Sequence, residues 1–288
     1  MFRRVLFRSG FPGNVAFDQN HLIVNGKKIP VSNENEITQL PWKNFQVDVV
    51  IESTGHCLTT ALAKSHIEAG AKKVIISAPA NDDTKSVVLG VNDQILSSED
   101  IIVSNASCTT NCAAPIIKVL QDKWGIEEAF ISTVHAYTGD QRLHDSPHKD
   151  LRRARAAAMS IVPTSTGAAK AITRIFPELE GKIGGCGMRV PVPDGSLTDI
   201  TCVLKKYPTV DEINTAFREA AENSMTGILE YTSDPLVSVD IIGNTHSCVY
   251  DADFTSIVGN LVKIIGWYDN EAGYSARLAE LAIRLFSK

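Results

Sequence analysis

The sequence predicts an α/β protein in two parts, a parallel sheet in the first half of the chain and a second part with longer strands. Three observations carry this. Short β-rich runs alternate with helical stretches up to about residue 105, the rhythm of right-handed βαβ units. Past Cys108 that alternation gives way to longer strand patterns. Of the 288 residues, 44% are hydrophobic and 21% charged, which is ordinary globular composition with enough apolar side chain for a real core.

Taken in order, VDVVIES (47–53) reads as a buried strand and HCLTTALAKSHIEAGA (56–71) as a helix ending near Gly70. KKVIIS (72–77), SVVLGV (86–91) and IIVSN (101–105) read as further strands. In the second part AAPIIKVLQDKWG (113–125) has helical periodicity, AFISTVHAY (129–137) reads as a strand, and 138–155 is a polar, basic loop. KAITRIF (170–176) is a short helix and SLTDITCVLKK (196–206) alternates as a half-buried strand. DEINTAFREAAENS (211–224) is a capped amphipathic helix, LVKIIGWYD (261–269) a strand, and EAGYSARLAELAIRLF (271–286) the closing helix. There is no internal repeat and no low-complexity tract.

Charge and cysteine usage exclude several classes. The formal net charge is -5 and no long basic run is present, so a nucleic-acid partner is not expected. No apolar stretch is long enough to cross a bilayer, so no membrane role is expected. The six cysteines, Cys57, Cys108, Cys112, Cys186, Cys202 and Cys248, are too sparse for a disulfide scaffold. The opening MFRRVLFRSG lacks the continuous apolar core of a signal peptide. A reducing, cytoplasmic setting is expected, in which a special cysteine is catalytic rather than bridged.

The run SNASCTTNC (104–112) holds two of those cysteines. A closed zinc site needs four ligands, usually with a second close Cys or His pair, and none lies nearby; no metal is expected. A thioredoxin-like pair has two intervening residues, whereas Cys108 and Cys112 have three. Cys112 fits a small buried residue. Cys108 stands where a strand pattern runs into a helix start, beside unpaired backbone N–H groups that favour a thiolate. Lowering a thiol pKa of about 8.5 by two units takes roughly 2.7 kcal/mol, and a helix terminus supplies about 0.3–1 kcal/mol. A second activator is therefore needed, and histidine is the natural type. Of the seven histidines, His135 closes a strand pattern and fits either a catalytic partner of Cys108 or an ordinary histidine bonded in the sheet. His144 and His148 lie in the charged loop, while His21, His56, His66 and His246 sit in polar or turn settings with no local sign of a role.

Two further stretches suit anions. PTSTGAAKA (163–171) sets hydroxyls and a glycine before a helix, which serves N-capping by Ser165 or Thr166 and equally holds phosphate. In GGCGMRVPVPDG (184–195), Arg189 starts a strand after a flexible glycine cluster; it is either solvated or held as a fork for phosphate or carboxylate. KDLRRARAAA (149–158) reads as a solvated basic face or an oligomer contact.

SNASCTTNCAAP, HAYTGDQRLHDSPHKDLRRARAAA, PTSTGAAKA, MRVPVP and WYDNEAGYS together resemble phosphorylating glyceraldehyde-3-phosphate dehydrogenase, from about Phe11 to the C-terminus. The resemblance implies a Rossmann-type dinucleotide-binding domain (1–107 and 270–288) and an α+β catalytic domain with a large, mostly antiparallel sheet (108–269). It implies Cys108 as nucleophile, His135 as its activating base, and oxidation of D-glyceraldehyde 3-phosphate to 1,3-bisphosphoglycerate through a thioester with NAD as cofactor. Thr138 and Arg189, with Arg153 nearby, match the substrate-phosphate ligands. Ser107, Thr109, Thr166 and Gly167 match those of the attacking inorganic phosphate. Asn270 matches the residue that bonds the nicotinamide carboxamide, Ser77 one beside the nicotinamide, and Thr54 with Gly55 lies near the cofactor. The loop from about Tyr137 to Met159 matches a segment that reaches a neighbouring subunit, which implies a homotetramer in the complete protein.

The chain departs from the family at its start. The glycine-rich turn and the acidic residue that holds the adenosine ribose have no match, and residues 1–10 match nothing in the family pattern. The sequence thus reads as one lacking the N-terminal part of its cofactor domain, through a misjoined reading frame or as a genuine short form. As written, it is expected to bind NAD weakly or not at all and to aggregate through unpaired strand edges. Alternatives are erythrose-4-phosphate dehydrogenase, a thiol hydrolase or acyltransferase indifferent to NAD⁺, and a fragment inactive for want of the cofactor turn.

Overall fold

The computed structural model describes residues 11–287; the expectation placed on the first ten residues lies outside them. Strands β1 (Val15–Phe17), β2 (His21–Val24) and β3 (Lys27–Pro30) form a small antiparallel sheet. Asn25 and Gly26 join β2 to β3 at φ 49° and 81°, the paired left-handed positions of a tight hairpin. Next comes a parallel sheet of β4 (Val49–Glu52), β5 (Lys73–Ile76) and β6 (Ile102–Ser104), in that order. Helix α1 (Thr60–Glu68) crosses between β4 and β5, its start capped by the Thr59 hydroxyl accepting from Leu62 N.

The stretch 86–91 is not a strand. Only Ser86 bridges to β6, at Ser104. Val87, Val88, Leu89 and Val91 are buried all the same, so the apolar run reflects burial rather than extended pairing. The Asn92 side chain accepts from Val88 N (2.7 Å) and donates to Ser86 O (2.9 Å), standing in for ladder partners, and Gly90 turns at φ 77°.

Helix α2 (Cys108–Lys123) begins five residues before its apolar periodicity does. Ser107 caps it, its hydroxyl accepting from Thr110 N at 3.1 Å. Every residue from Thr109 to Ile117 is buried: Ile116, Ile117 and Leu120 share one core with Ile75 and Val103 of the parallel sheet and Ile131 and Ile200 beyond. The remaining elements are β7 (Ile126–Ala136), β8 (Val162–Thr164), α3 (Ala168–Ile175), β9 (Ile183–Val190), β10 (Ser196–Leu204), α4 (Val210–Glu222), β11 (Leu229–Thr232), β12 (Cys248–Val258), β13 (Leu261–Tyr268) and α5 (Ala272–Phe286).

Seven of these strands make one sheet in the order β11-β12-β13-β10-β7-β9-β8. Only β11/β12 and β7/β9 are parallel pairs, so the sheet is mostly antiparallel. The glycines of 184–187 lie inside β9 rather than forming a flexible approach to it. A Cβ on Gly185 would sit 3.0 Å from Ile131 O and 3.3 Å from Thr166 Cγ2, so the glycine is where the α3 entry presses on the sheet. Helix α5 closes the chain by returning to the parallel sheet, against β4 and β5.

Candidate active site

Three elements meet at the carboxyl end of β6. Ala106, buried and in the left-handed region at φ 53°, turns β6 into α2. A non-glycine residue there costs of order 1 kcal/mol or more. Two bonds hold the turn: Ala106 N donates to Ser104 Oγ (3.0 Å), and Tyr274 of α5 donates its hydroxyl to Ala106 O (3.0 Å). The result is to place Cys108 on the first turn of α2.

Beside it, β7 and β9 run parallel with His135 opposite Arg189. Cys108 Sγ and His135 Nε2 are 3.3 Å apart. On the far side of the ring, His135 Nδ1 lies 2.7 Å from Ala136 O and 2.5 Å from Arg189 Nη1. Tyr268 of β13 meets the imidazole edge-on, with centroids 5.8 Å apart, and its hydroxyl shares a 2.9 Å hydrogen bond with Thr109 Oγ1. The imidazole is thus held on every side.

Burial and the Arg189 charge both act on this pair. Burial pushes the Cys108 thiol up, and the Arg189 charge and the Thr109 N–H pull it only part of the way back. Burial, with the Arg189 charge, pushes His135 down to about 3. Burial thus works against the charged form of both groups. What the geometry supplies is a thiol and an imidazole nitrogen 3.3 Å apart, a separation suited to proton transfer.

Cys112 is a packed neighbour. It is fully buried, with its thiol 3.6 Å from Gly266 O. A Cβ on Gly266 would come within 2.7 Å of Cys248 Sγ and 3.3 Å of Cys112 Sγ.

Of the other expected phosphate residues, Ser107 spends its hydroxyl on capping α2 and on Thr110 Oγ1 (2.8 Å). Thr138 lies two residues past the end of β7, its N–H donating to Gln141 Oε1 (3.3 Å). Arg153 is pinned by Thr164 Oγ1 (3.1 and 2.9 Å) and by Asp140, so the basic loop is internally paired rather than simply solvated. Thr166 accepts from Ala168 N (3.2 Å), and Gly167 is the cap residue of α3.

The expected cofactor residues fall on the same side of the fold. Ser77 follows β5, and Thr54 with Gly55 (φ 76°) follows β4, so both stand at the carboxyl ends of parallel strands, where ligands bind in such sheets. Asn270 is buried, and its Oδ1 accepts from Ser196 Oγ (2.7 Å), whose oxygen in turn accepts from Ala136 N (3.1 Å). That fixes the amide with its N–H₂ end as the free donor end, the polarity a carboxamide oxygen needs. These residues fit the nicotinamide end of a dinucleotide. Among the described residues there is no glycine-rich turn for its pyrophosphate.

Sequence reasoning missed a network behind Thr54. Glu52, buried at the end of β4, accepts from Thr54 N (2.7 Å), from the Thr54 hydroxyl, and from His66 Nε2 (2.7 Å). Trp42 Nε1 donates to His66 Nδ1 (3.1 Å). His66 is thus a core histidine and not a turn residue. An indole only donates, so the ring proton of His66 sits on Nε2 and points at Glu52. Cys57 lies against the same two groups, where both Glu52 carboxylate oxygens and both His66 ring nitrogens already have hydrogen-bond partners. Tyr268, Ser196 and Tyr274 were missed as well; their only sequence mark is membership of strand or helix ends.

A parallel sheet joined to a large, mostly antiparallel sheet, with a thiol–imidazole pair where they meet, defines a two-part α/β dehydrogenase. Comparison with known proteins agrees with that class. Residues 107–270 match the family model for the C-terminal domain of glyceraldehyde 3-phosphate dehydrogenase, and residues 3–60 the model for its NAD binding domain. The second match begins ahead of Phe11, so similarity to the family reaches into the opening run that the motif reading set apart. The chain is 57% identical over 242 residues to the glyceraldehyde-3-phosphate dehydrogenase of Mycobacterium avium (84% of this chain, 71% of the relative). It is 53% identical over 272 residues to that of Mycolicibacterium smegmatis (94% and 80%), and 52% identical over 276 residues to that of Priestia megaterium (95% and 82%). The chain belongs to the glyceraldehyde-3-phosphate dehydrogenase family.

Proposed function

We propose that the protein oxidises D-glyceraldehyde 3-phosphate and phosphorylates the product to 1,3-bisphosphoglycerate, with NAD⁺ as cofactor and inorganic phosphate as second substrate. The observation that carries this is the 3.3 Å approach of Cys108 Sγ, on the first turn of α2, to His135 Nε2, at the end of β7, in a chain of this family. Residues 1–107 and 270–288 form the cofactor-binding part and 108–269 the catalytic part.

Cys108 Sγ attacks the aldehyde carbon, forming the C–S bond as the carbonyl π bond breaks. The Cys108 N–H and the His135 ring stabilise the oxygen as its charge develops. The thiol proton and that oxygen yield a hemithioacetal hydroxyl, whose proton His135 Nε2 then takes. NAD⁺, when bound, supplies the hydride acceptor at this carbon, and the oxidation leaves a thioester on Cys108. A phosphate oxygen attacks the thioester carbon, the C–S bond breaks, and His135 returns its proton to sulfur. Sulfur suits the task because a thioester keeps the carbonyl activated for acyl transfer.

Thr138 and Arg189, with Arg153 beside them, hold the substrate phosphate, and Ser107, Thr109, Thr166 and Gly167 hold the attacking one. Asn270 orients the nicotinamide carboxamide, Ser77 lies beside the ring, and Thr54 with Gly55 borders the cofactor. The protein works in the cytoplasm as a homotetramer. No described helix is long and apolar enough to cross a membrane. The test follows NADH absorbance from glyceraldehyde 3-phosphate with phosphate, for this chain and for Cys108→Ser. A phosphate-dependent signal lost in the variant supports the reading; a signal that survives the substitution refutes it. Titration with NAD⁺ alone measures how much affinity the described cofactor residues retain.

A further inference from the structure

Asp140 is an anion of the protein's own, placed among the residues read above as holding the substrate phosphate. It lies two residues past Thr138, and its carboxylate pairs with Arg153 Nη1. The charges of Arg153 and Asp140 both act on Arg189, so the pair borders the Thr138–Arg189 end of the site. A carboxylate there occupies a cation that a phosphate ester would use.

The two partners are held very differently. Arg153 Nε and Nη2 both donate to Thr164 Oγ1 (3.1 and 2.9 Å), which fixes the guanidinium against β8. Asp150 also faces Arg153, 3.7 Å from Nε, but it is tied down: its Oδ1 accepts from Arg152 N (2.9 Å) and Arg153 N (3.4 Å). Asp140 has no such anchor. It is half-exposed, and the partners of its carboxylate are the side chains of Arg153 and His148.

His148 is a second berth for that carboxylate. Its Nδ1 lies 2.9 Å from Asp150 N and 3.0 Å from Asp150 O. The N–H demands a lone pair on Nδ1, which leaves the ring proton on Nε2; a doubly protonated ring carries one there too. Nε2 is 3.7 Å from Asp140 Oδ1, just beyond a hydrogen bond, so a small swing of Asp140 closes the gap. A half-exposed ion pair is weak. A phosphate ester brings more charge than a carboxylate and three acceptor oxygens, and it can bind a guanidinium by two parallel charge-assisted bonds.

We propose that Asp140 is a resident stand-in for the substrate phosphate: in the free protein it pairs with Arg153, and a phosphate ester held by Thr138 and Arg189 takes that donor and sends Asp140 to His148. This rests on the reading of Thr138, Arg189 and Arg153 as the substrate-phosphate residues. Asp140 then determines affinity and touches no reacting atom. It keeps Arg153 compensated while the site is empty, and it makes every phosphate ligand displace a carboxylate, so a phosphorylated product leaves more readily.

The test needs no cofactor. Binding of sn-glycerol 3-phosphate, which has the phosphate and no aldehyde, is titrated through its ³¹P line against the chain and its variants. Asp140→Asn is expected to bind the ester roughly fivefold more tightly, the worth of one half-exposed ion pair no longer displaced, while its urea midpoint without ester is no higher than the parent's. Loss of a merely structural contact would weaken both together. His148→Leu is expected to weaken ester binding in the parent and to have no effect on it in Asp140→Asn, where no carboxylate needs the second berth. An Asp140→Asn chain that binds the ester no better than the parent overturns the proposal, as does a His148→Leu effect of the same size with Asp140 absent. Arg189→Leu separates the underlying reading. An ester bound equally well by Arg189→Leu, or by none of the chains, counts against the phosphate site itself and takes the proposal with it. Binding lost in Arg189→Leu but not tightened in Asp140→Asn sinks the displacement alone.

Discussion

Replacing Glu52 by Gln changes one atom of a buried acceptor into a donor, and the network around it has no place for one. Glu52 accepts three bonds: from Thr54 N, from the Thr54 hydroxyl, and from His66 Nε2. The Trp42 indole holds the His66 proton on the side facing Glu52, so the ring cannot turn its lone pair to meet an amide. Whichever way Gln lies, an N–H₂ group faces another donor. The change removes at least one hydrogen bond to a charged group, about 1.5–3 kcal/mol, and leaves a buried donor unsatisfied, about 1–3 kcal/mol. The variant is expected to lose about 3 kcal/mol, read as a lower urea midpoint at pH 7. Burial raises the Glu52 pKa, and the bonds from Thr54 and His66 lower it by more, so it lies below the usual carboxylate value. The linked stability is present above the unfolded pKa, about 4.3, and is lost as pH falls through the folded one. The gap between parent and variant should therefore narrow in acid. A midpoint that barely moves at pH 7, or a gap that is the same in acid, refutes the reasoning.

Removing the imidazole by His135→Asn should cut the rate of NADH formation by about 10²–10⁴, the range for loss of a general base. Cys112→Ala should leave the NADH rate near that of the parent chain and lower stability by about 1 kcal/mol, the cost of a small cavity; loss of activity without loss of stability would make Cys112 a partner instead of packing.

Most of the helices and the βαβ rhythm were legible because periodicity is a local property. Helix α4 also carried its own start signal, a Thr209–Glu212 capping box. The strand expected at 86–91 failed because an apolar run records burial, and burial does not distinguish a ladder from a loop pinned by Asn92. The pairing of His135 with Arg189 spans 54 residues and arises from two parallel neighbours that are not consecutive strands. Nothing in the spacing of either residue announces it. Glu52, His66 and Trp42 meet only because α1 packs back against the parallel sheet, so His66 in its polar or turn setting showed no local sign of a role. Motif resemblance supplied roles for Cys108 and His135 that spacing left open. It did not supply the charge state of the pair, which depends on how deeply both are buried.

The central claim, that Cys108 is the acyl-carrying nucleophile, is tested most directly without cofactor, by running the last step backwards. Mixed with 1,3-bisphosphoglycerate, the chain should gain one 3-phosphoglyceroyl group on the peptide bearing Cys108 and release phosphate. Mass spectrometry should show the adduct absent in Cys108→Ser and discharged when inorganic phosphate is added. An adduct on another cysteine, or none on any, would contradict the account.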